Sequence, residues 1–199
     1  IVPREHPGGP FDMSEAPSTM WYHDHGNDFT AINAASCHAG FNLFTDDLEK
    51  QLIADNVLPP TYGDTDVPLA FGDRRLNRDG TQFWDPLNHD GYLGDLICVN
   101  GNAFPVMKVQ RRKYRFRFLG GALARVFHFK LSNNMPFLMI GNDAWLLPQA
   151  VGATSFTLTP AKRADVIIDF RNAPNEVFLQ NAMEQTNGRG PDKINLPGA

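Results

Sequence analysis

The chain has 199 residues, enough for one large domain or for one domain and part of another. With 18 Lys and Arg against 22 Asp and Glu, its formal charge of -4 gives no electrostatic basis for binding nucleic acid or an anionic membrane surface. Its apolar runs are too short to cross a bilayer, and its 2 cysteines exclude a disulfide-rich scaffold. A hydrophobic fraction of 42% still suffices for a packed core.

The composition favours strands and turns over helices. Asp far outnumbers Glu, and 17 Gly and 15 Pro are scattered singly along the chain, which indicates many turns. The 15 Phe supply bulky side chains suited to the interior of a sandwich. We therefore predict an all-β protein.

The beginning of the chain is predicted to hold few regular elements. Residues 1–17 are polar and rich in Pro and Gly, which indicates a surface loop or an edge left by processing or truncation. The elements predicted next are a strand from Thr19 through His25, a loop with a helical turn over 27–38, a strand over 39–45, a helix over 48–54 capped by Asp46 and Asp47, and a Pro-containing linker.

The rest of the chain alternates short apolar stretches with turn residues, the pattern of a Greek-key sandwich or barrel. The predicted strands cover residues 67–71, 96–99, 104–109, 114–119, 126–131, 137–140, 155–158, 166–170 and 177–179. We accordingly divide the chain into the end of one β-domain with a linker, residues 1–54, and a second β-domain, residues 55–199.

One strand alternates with a strict period of two. Tyr114, Phe116 and Phe118 share one face, and Arg115 and Arg117 share the other. Together with the basic run at 111–113, these arginines could form an anion site. The polar face of a sheet, or an interface between domains, is the favoured interpretation.

The candidate metal site is a His-x-His pair at the end of the first predicted strand. In an extended chain, residues two apart point to the same side, so His23 and His25 should project together while Asp24 points away. Imidazoles presented in this way either chelate one metal or each bind one of two adjacent metals. The alternative is a pair of partly exposed histidines with no ligand.

Several segments together resemble the multicopper oxidases, in particular the branch of spore-coat laccases and bilirubin oxidases. The matching segments are WYHDH at 21–25, DVPL at 66–69, GDLICVNG at 94–101, RKYRFR at 112–117 and PAKRADVIIDF at 160–170. The resemblance runs from about residue 19 to residue 179, with the motifs in the order of that family.

The resemblance implies a cupredoxin-like fold and a copper site. It implies that His23 and His25 ligate the type 3 copper pair, one histidine to each copper, in a trinuclear cluster. The implied reaction is one-electron oxidation of phenolic or other aromatic donors, coupled to reduction of O2 to water. The implied second domain, residues 55–199, binds no copper itself, and an extracellular, periplasmic or spore-coat location is favoured over the cytoplasm.

A trinuclear cluster of this family uses eight histidines from four motifs, and this chain supplies one motif. The expectation is therefore a fragment of a longer enzyme, inactive alone, whose other cupredoxin domains or chains complete the copper site. The alternative from a different class is a copper-free, cupredoxin-like structural or binding module.

The remaining candidates are interpreted as non-ligands. Cys37 and His38 resemble the adjacent Cys and His of a type 1 copper site but lack the histidines that flank them there. Cys98 is predicted to be a buried apolar side chain. A disulfide between the two cysteines requires an oxidising compartment, and the sequence leaves that open. His128 is predicted to lie at solvent or at an interface. His6 and His89 are predicted to lie in exposed loops.

Overall fold

The computed structural model describes residues 5–6, 9–10, 19–143 and 145–195. Within them the two helices are α1 (Thr30–Ala35) and α2 (Asp47–Ala54). The first eight strands are β1 (Glu5–His6), β2 (Gly9–Pro10), β3 (Thr19–His23), β4 (Ala39–Leu43), β5 (Asp66–Arg74), β6 (Leu96–Val99), β7 (Asn102–Ala103) and β8 (Lys113–Gly120). The others are β9 (Phe127–Leu131), β10 (Phe137–Asn142), β11 (Leu146–Ala153), β12 (Ser155–Leu158), β13 (Arg163–Asp169), β14 (Leu179–Asn181), β15 (Met183–Glu184) and β16 (Lys193–Ile194).

Two sheets facing each other form the body of the molecule. The larger has seven strands in the order β11-β10-β13-β8-β5-β6-β7, antiparallel throughout except for the parallel neighbours β5 and β8. The smaller has three strands in the order β12-β9-β14. The remaining strands form pairs: β1 with β2, β3 with β4, and β15 with β16. The predicted all-β sandwich is confirmed.

Aromatic side chains fill the space between the two sheets. Phe116 and Phe118 of β8 belong to one buried cluster with Phe127 and Phe129 of β9. The rings of Phe118 and Phe129 have their centroids 5.3 Å apart and are tilted by 57°. Each fully buried Phe gains about 2 kcal/mol by leaving water. The alternation seen in the sequence therefore places the aromatic face of β8 in the core.

The opposite face of β8 is also buried. Arg115 and Arg117 are 1% and 0% exposed. The segment 19–54 covers them, since Glu49 of α2 contacts both guanidinium groups and Thr19 of β3 contacts that of Arg117. The arginines thus lie on the polar face of the large sheet, where the segment 19–54 covers it. The division of the chain at residue 54 stays a prediction.

Helix α2 forms where the sequence predicts it. The Asp46 side chain accepts a hydrogen bond from the backbone N–H of Glu49 at 2.6 Å, which satisfies a donor that the first turn leaves unpaired. This cap fixes the start of the helix, and the helix turns Glu49 toward the sheet.

Several strand predictions differ from the structure. Residues 104–109 form no strand, because Pro105 has no N–H to donate to a ladder and the Val106 side chain is 92% exposed. Strand β11 was missed because Pro148 interrupts its pattern, and an edge strand tolerates that proline. Within the predicted N-terminal loop, β1 pairs with β2. Residues 1–4, 7–8 and 11–18 lie outside the described residues.

No helix in the described part of the chain is both long enough and apolar enough to span a membrane.

Candidate metal centre

The His-x-His pair lies at the end of a two-stranded ribbon. Strand β3 pairs antiparallel with β4, and its last pair joins His23 to Ala39. Side chains alternate along β3, so that Thr19 is buried while Met20 and Tyr22 are exposed. The regular strand ends at His23, two residues earlier than predicted, and His25 lies in the following loop.

The two imidazole rings nevertheless converge. Their centroids lie 5.6 Å apart, with an angle of 41° between the ring planes. His23 is half-buried and His25 is exposed, so the pair opens to the surface of this chain. The expected juxtaposition of the two rings is therefore observed, and their role as metal ligands stays a prediction.

The backbone fixes the proton on one ring nitrogen of His23. Its Nδ1 lies 2.7 Å from the backbone carbonyl oxygen of Asp24. Since a carbonyl oxygen only accepts, the neutral ring must carry its proton on Nδ1 to make this hydrogen bond. Nε2 then keeps its lone pair, which is the form in which a histidine binds a metal. Trp21 stacks on the same ring with centroids 4.6 Å apart and restricts its rotation.

Asp24 holds the loop that carries His25. Its Oδ2 accepts hydrogen bonds from Asn33 Nδ2 at 3.1 Å and from the backbone N–H of Gly26 at 3.2 Å. These bonds, that of Asn33 first, lower the pKa of the Asp24 carboxyl. The carboxylate is thus used to join the loop to α1, consistent with the prediction that Asp24 points away from the histidine pair.

The donors present fit copper, but two of them do not complete a site. Imidazole nitrogen is a good ligand for copper as well as for zinc and iron. In the described ranges, no group of three or more His, Cys, Asp or Glu side chains is arranged to hold a metal ion. A metal at this pair would therefore need further ligands from elsewhere.

A buried ion cluster anchors the start of the histidine strand. We define it as Thr19, Glu49, Asp66, Arg115, Arg117 and Asp165. Thr19 Oγ1 accepts from Arg117 Nη1 at 3.0 Å and donates to Asp165 Oδ1 at 3.3 Å. In addition, Arg163 Nε donates to the Thr19 carbonyl at 2.9 Å. The strand that ends at His23 therefore begins on a fixed point of the large sheet.

Within this cluster the guanidinium groups are closely paired. Arg117 donates to both carboxylate oxygens of Asp66, at 2.8 Å and 2.9 Å. Arg115 contacts Glu49 and Asp165, each at 2.6 Å. Burial alone would lower the pKa of Arg117. Its hydrogen bond to Asp66 and the negative charges of the nearby carboxylates raise it more strongly, and the net shift is upward. Arg117 is thus held as a permanent cation inside the protein.

Sequence reasoning missed Glu49 as a member of this cluster. A usable signal was present, because Glu49 shares one helix face with Leu52 and Ile53, three and four residues later. A carboxylate on an apolar helix face indicates a buried partner. Burial raises the pKa of Glu49, but Arg115 and Arg117 lower it more strongly, and the net shift is downward.

The remaining histidines and cysteines fall into three groups. His38 and His89 are exposed, and the side chain of His6 lies outside the described residues. Cys98 is buried as predicted, and both cysteines carry free thiols. The prediction for His128 was wrong: its side chain is 7% exposed, with Nδ1 2.8 Å from Thr157 Oγ1, since β15 lies against β9. Burial lowers the pKa of His128.

Comparison with solved structures shows that the β-sandwich has a cupredoxin-like fold. The crystal structure of a laccase from Pediococcus acidilactici is 34% identical, with a TM-score of 0.75 over 84% of this chain and 36% of that chain. No family model matches the sequence.

Curated relatives match most of the chain. A laccase from Bacillus stratosphericus is 36% identical over 87% of this chain and 38% of its own length. Bilirubin oxidase from Albifimbria verrucaria is 32% identical over 89% of this chain and 32% of its own length. The chain thus spans about a third of the length of the curated relatives it matches. It belongs to the multicopper oxidase family.

One relative carries a different kind of name. Cell division protein FtsP from Xenorhabdus nematophila is 34% identical over 82% of this chain and 34% of its own length. Similarity at this level therefore includes a protein that is not named as an oxidase, and the chemistry must be argued from the histidine pair.

Proposed function

We propose that this chain is part of a laccase-like multicopper oxidase, in which His23 and His25 ligate the type 3 copper pair, one histidine to each copper. The observation that carries this proposal is the convergence of the two rings, 5.6 Å apart, with Nδ1 of His23 occupied by the Asp24 carbonyl and its Nε2 left for a metal. Bound copper supplies the electron-transfer chemistry that couples donor oxidation to the reduction of O2 to water.

The neighbouring residues of this chain orient the side chains of His23 and His25 and hold them in place for metal binding. Trp21 and the Asp24 carbonyl orient the ring of His23, while the bonds of Asp24 to Asn33 and Gly26 set the loop of His25. Such contacts raise metal affinity because the ligands lose little freedom on binding. The donors in the intact enzyme are phenolic or other aromatic small molecules, and O2 is the acceptor.

The domain assignment is part of the same proposal. Residues 1–54 form the end of a first cupredoxin domain that carries the His-x-His motif, and residues 55–199 form a second cupredoxin-like domain without copper of its own. The separate β3–β4 ribbon and the self-contained sandwich from β5 onward support this division. The remaining copper ligands come from other cupredoxin domains or chains.

The test compares copper content in the full-length protein and in the double variant His23→Ala, His25→Ala. We expect the variant to lose copper, measured as metal per protein by mass spectrometry, together with oxygen-coupled oxidation of a phenolic dye. His38→Ala, His89→Ala is the matched control, since both of these histidines are exposed and lie outside the pair. The control should keep its copper and activity.

Two outcomes would contradict the proposal. Unchanged copper content in the His23, His25 double variant would show that these residues are not ligands. A full-length wild-type protein that binds no copper would instead indicate the copper-free cupredoxin-like module, which the laccase and bilirubin oxidase relatives do not favour.

A further inference from the structure

Cys37 and Cys98 lie on opposite sides of the contact between the segment 19–54 and the large sheet. Cys37 follows α1, and Cys98 is the third residue of β6. In β6, Ile97 and Val99 pack against the aromatic core, so Cys98 points to the opposite face, the one that carries Arg115 and Arg117. Segment 19–54 covers this face.

Glycine at position 72 brings the two thiols together. Gly72 and Cys98 are direct partners in the antiparallel pair of β5 and β6, so any side chain at 72 would stand beside that of Cys98. The Cys37 sulfur occupies that place instead: it lies 3.3 Å from where a Cβ of residue 72 would be. Because Gly72 has no side chain, the Cys37 thiol reaches across β5 to the Cys98 thiol.

The backbone of Cys37 is a second, independent observation. Its φ angle is +64°, in the left-handed region that L-residues other than Asn and Asp rarely adopt and that glycine adopts freely. A cysteine at such a position carries a conformational cost without helping the turn. The placement of its sulfur against Cys98 gives this residue type a reason at this position.

We propose that Cys37 and Cys98 are a disulfide-forming pair that covalently joins the segment carrying His23 and His25 to the large sheet. The two thiols give up two protons and two electrons as one S–S bond forms. A disulfide oxidant such as oxidised glutathione takes up the two protons and the two electrons, and its own S–S bond breaks to yield two thiols. The proposal does not depend on copper.

The surroundings of the thiols determine how the bond forms. Burial, with a contribution from the neighbouring Cys98 thiol, raises the pKa of Cys37 to about 11, and burial also raises the pKa of Cys98. Thiols that stay protonated react slowly in exchange. The bond therefore forms while the chain folds in an oxidising compartment, or slowly under a disulfide oxidant afterwards.

The cross-link would act on the histidine site through α1. Cys37 follows this helix closely, and Asn33 within the helix donates to Asp24 between the two histidines. A bond from Cys37 to β6 would thus fix the far end of the helix that holds the histidine loop.

Peptide mapping tests the bond directly. The full-length protein is produced in a bacterial periplasm, incubated overnight with oxidised glutathione, alkylated, and digested with trypsin without reductant. Trypsin cleaves after Arg4, Lys50, Arg78 and Lys108, so the cysteines fall on separate peptides, 5–50 and 79–108. We expect one linked species of these two peptides. Two alkylated cysteines, glutathione on both, or linkage to other partners would overturn the proposal.

Thermal unfolding supplies a second measurement. The oxidised protein should melt roughly 5–10 °C above the reduced protein, since the bond closes a long loop of the unfolded chain. The variants Cys37→Gly and Cys98→Ala should lose this redox dependence, and glycine suits the backbone at position 37. Copper removal by the reductant would shift all three proteins equally. An equal redox shift in wild type and variants would therefore contradict the cross-link.

Discussion

Arg117 illustrates how a buried charge becomes tolerable. Its guanidinium is 0% exposed, yet every one of its three nitrogens donates to Asp66, Glu49 or Thr19. Isolated burial of such a cation would be prohibitive, whereas paired donors in fork geometry satisfy both partners. The same contacts connect residues that are distant along the chain, so that one side chain joins α2, β3 and β5.

Replacing Arg117 by Leu should lower the free energy of unfolding by about 3–5 kcal/mol, because the Asp66 carboxylate would stay buried without its cation and Glu49 would keep only Arg115. Urea unfolding measures the loss. Arg171→Leu is the control: it removes a pair with Asp169 that is largely exposed, and should cost less than about 1 kcal/mol.

If the Arg117→Leu variant does not fold, Arg117→Lys keeps the charge but loses the two-pronged contact with Asp66, and it should show an intermediate loss. Equal losses in the Arg117 and Arg171 variants would contradict the argument from burial.

At the scale of elements, the connection into β6 depends on a residue without a side chain. The N–H of Gly94 donates to Asp73 Oδ2 at 2.7 Å, and this places Gly94 directly on β5. A Cβ at position 94 would overlap the backbone nitrogen and carbonyl of Arg74. Backbone atoms do not move aside as a flexible side chain would, so the approach of this loop to β5 requires glycine.

Gly94→Ala should therefore destabilise the protein by about 3 kcal/mol. Gly152→Ala is the matched control, because a Cβ there would meet nothing within 4 Å, and its effect should stay within about 0.5 kcal/mol. Differential scanning calorimetry on both variants tests this. A tolerated alanine at position 94 would mean that β5 and the loop separate without cost.

The elements differed in how well the sequence predicted them. Local rules sufficed for α2, where Asp46 caps the first turn, and for β8, where alternation is strict. They failed for β11, since only its position at the sheet edge makes Pro148 acceptable. The strand predicted over residues 104–109 was wrong for the opposite reason. This stretch is apolar but has no neighbouring strand to pair with, and it stays a loop.

At the scale of the whole molecule, the segment 19–54 is held to the sheet by charge as much as by packing. Glu49 Oε1 accepts from Arg115 at 2.6 Å, from Arg117 at 3.1 Å and from Thr61 at 3.1 Å. The net pKa of Glu49 lies below its ordinary value of 4.5, despite burial, because of the two arginines. Protonation of this one group weakens contacts that join both parts of the molecule.

The sign of the pH effect follows from that shift. Above pH 4.5 Glu49 is ionised in the folded and the unfolded chain, and its stabilisation is complete. As the pH falls through the lower pKa of the folded state, the unfolded chain binds more protons and the stabilisation is lost. The stability difference between wild type and Glu49→Gln should therefore shrink below pH 4.5, measured by urea midpoints from pH 7 to pH 3.

Burial raises the pKa of Asp73, so the protonation of Asp73 changes the stability with pH in the direction opposite to that of Glu49. Because Asp73 is present in both proteins, its effect cancels in the difference between wild type and Glu49→Gln. A difference between wild type and Glu49→Gln that is constant over the whole pH range would contradict the role given to Glu49.

For the candidate site, the sequence predicted the pair but not its setting. The spacing of two residues correctly predicted that the rings of His23 and His25 converge, although the regular strand ends at His23. The bond from His23 Nδ1 to the Asp24 carbonyl depends on where the strand ends, two residues before expected, and no local pattern specified it. Likewise, alternation assigned Arg115 and Arg117 to one face without revealing that Glu49 and Thr19 would cover it, because that contact joins residues more than 60 positions apart.

The anchoring of Thr19 has a consequence for chimeric enzymes. A designer who exchanges sandwich modules between relatives would naturally cut at the proline-containing linker near residue 59, yet that junction separates Thr19 and Glu49 from Arg115 and Arg117. In the chimera, the guanidinium groups of Arg115 and Arg117 would face side chains from another protein. The β3–β4 ribbon that carries the histidines would lose its contacts with the large sheet. Crossovers placed ahead of residue 19 would transfer the ribbon and its footing together.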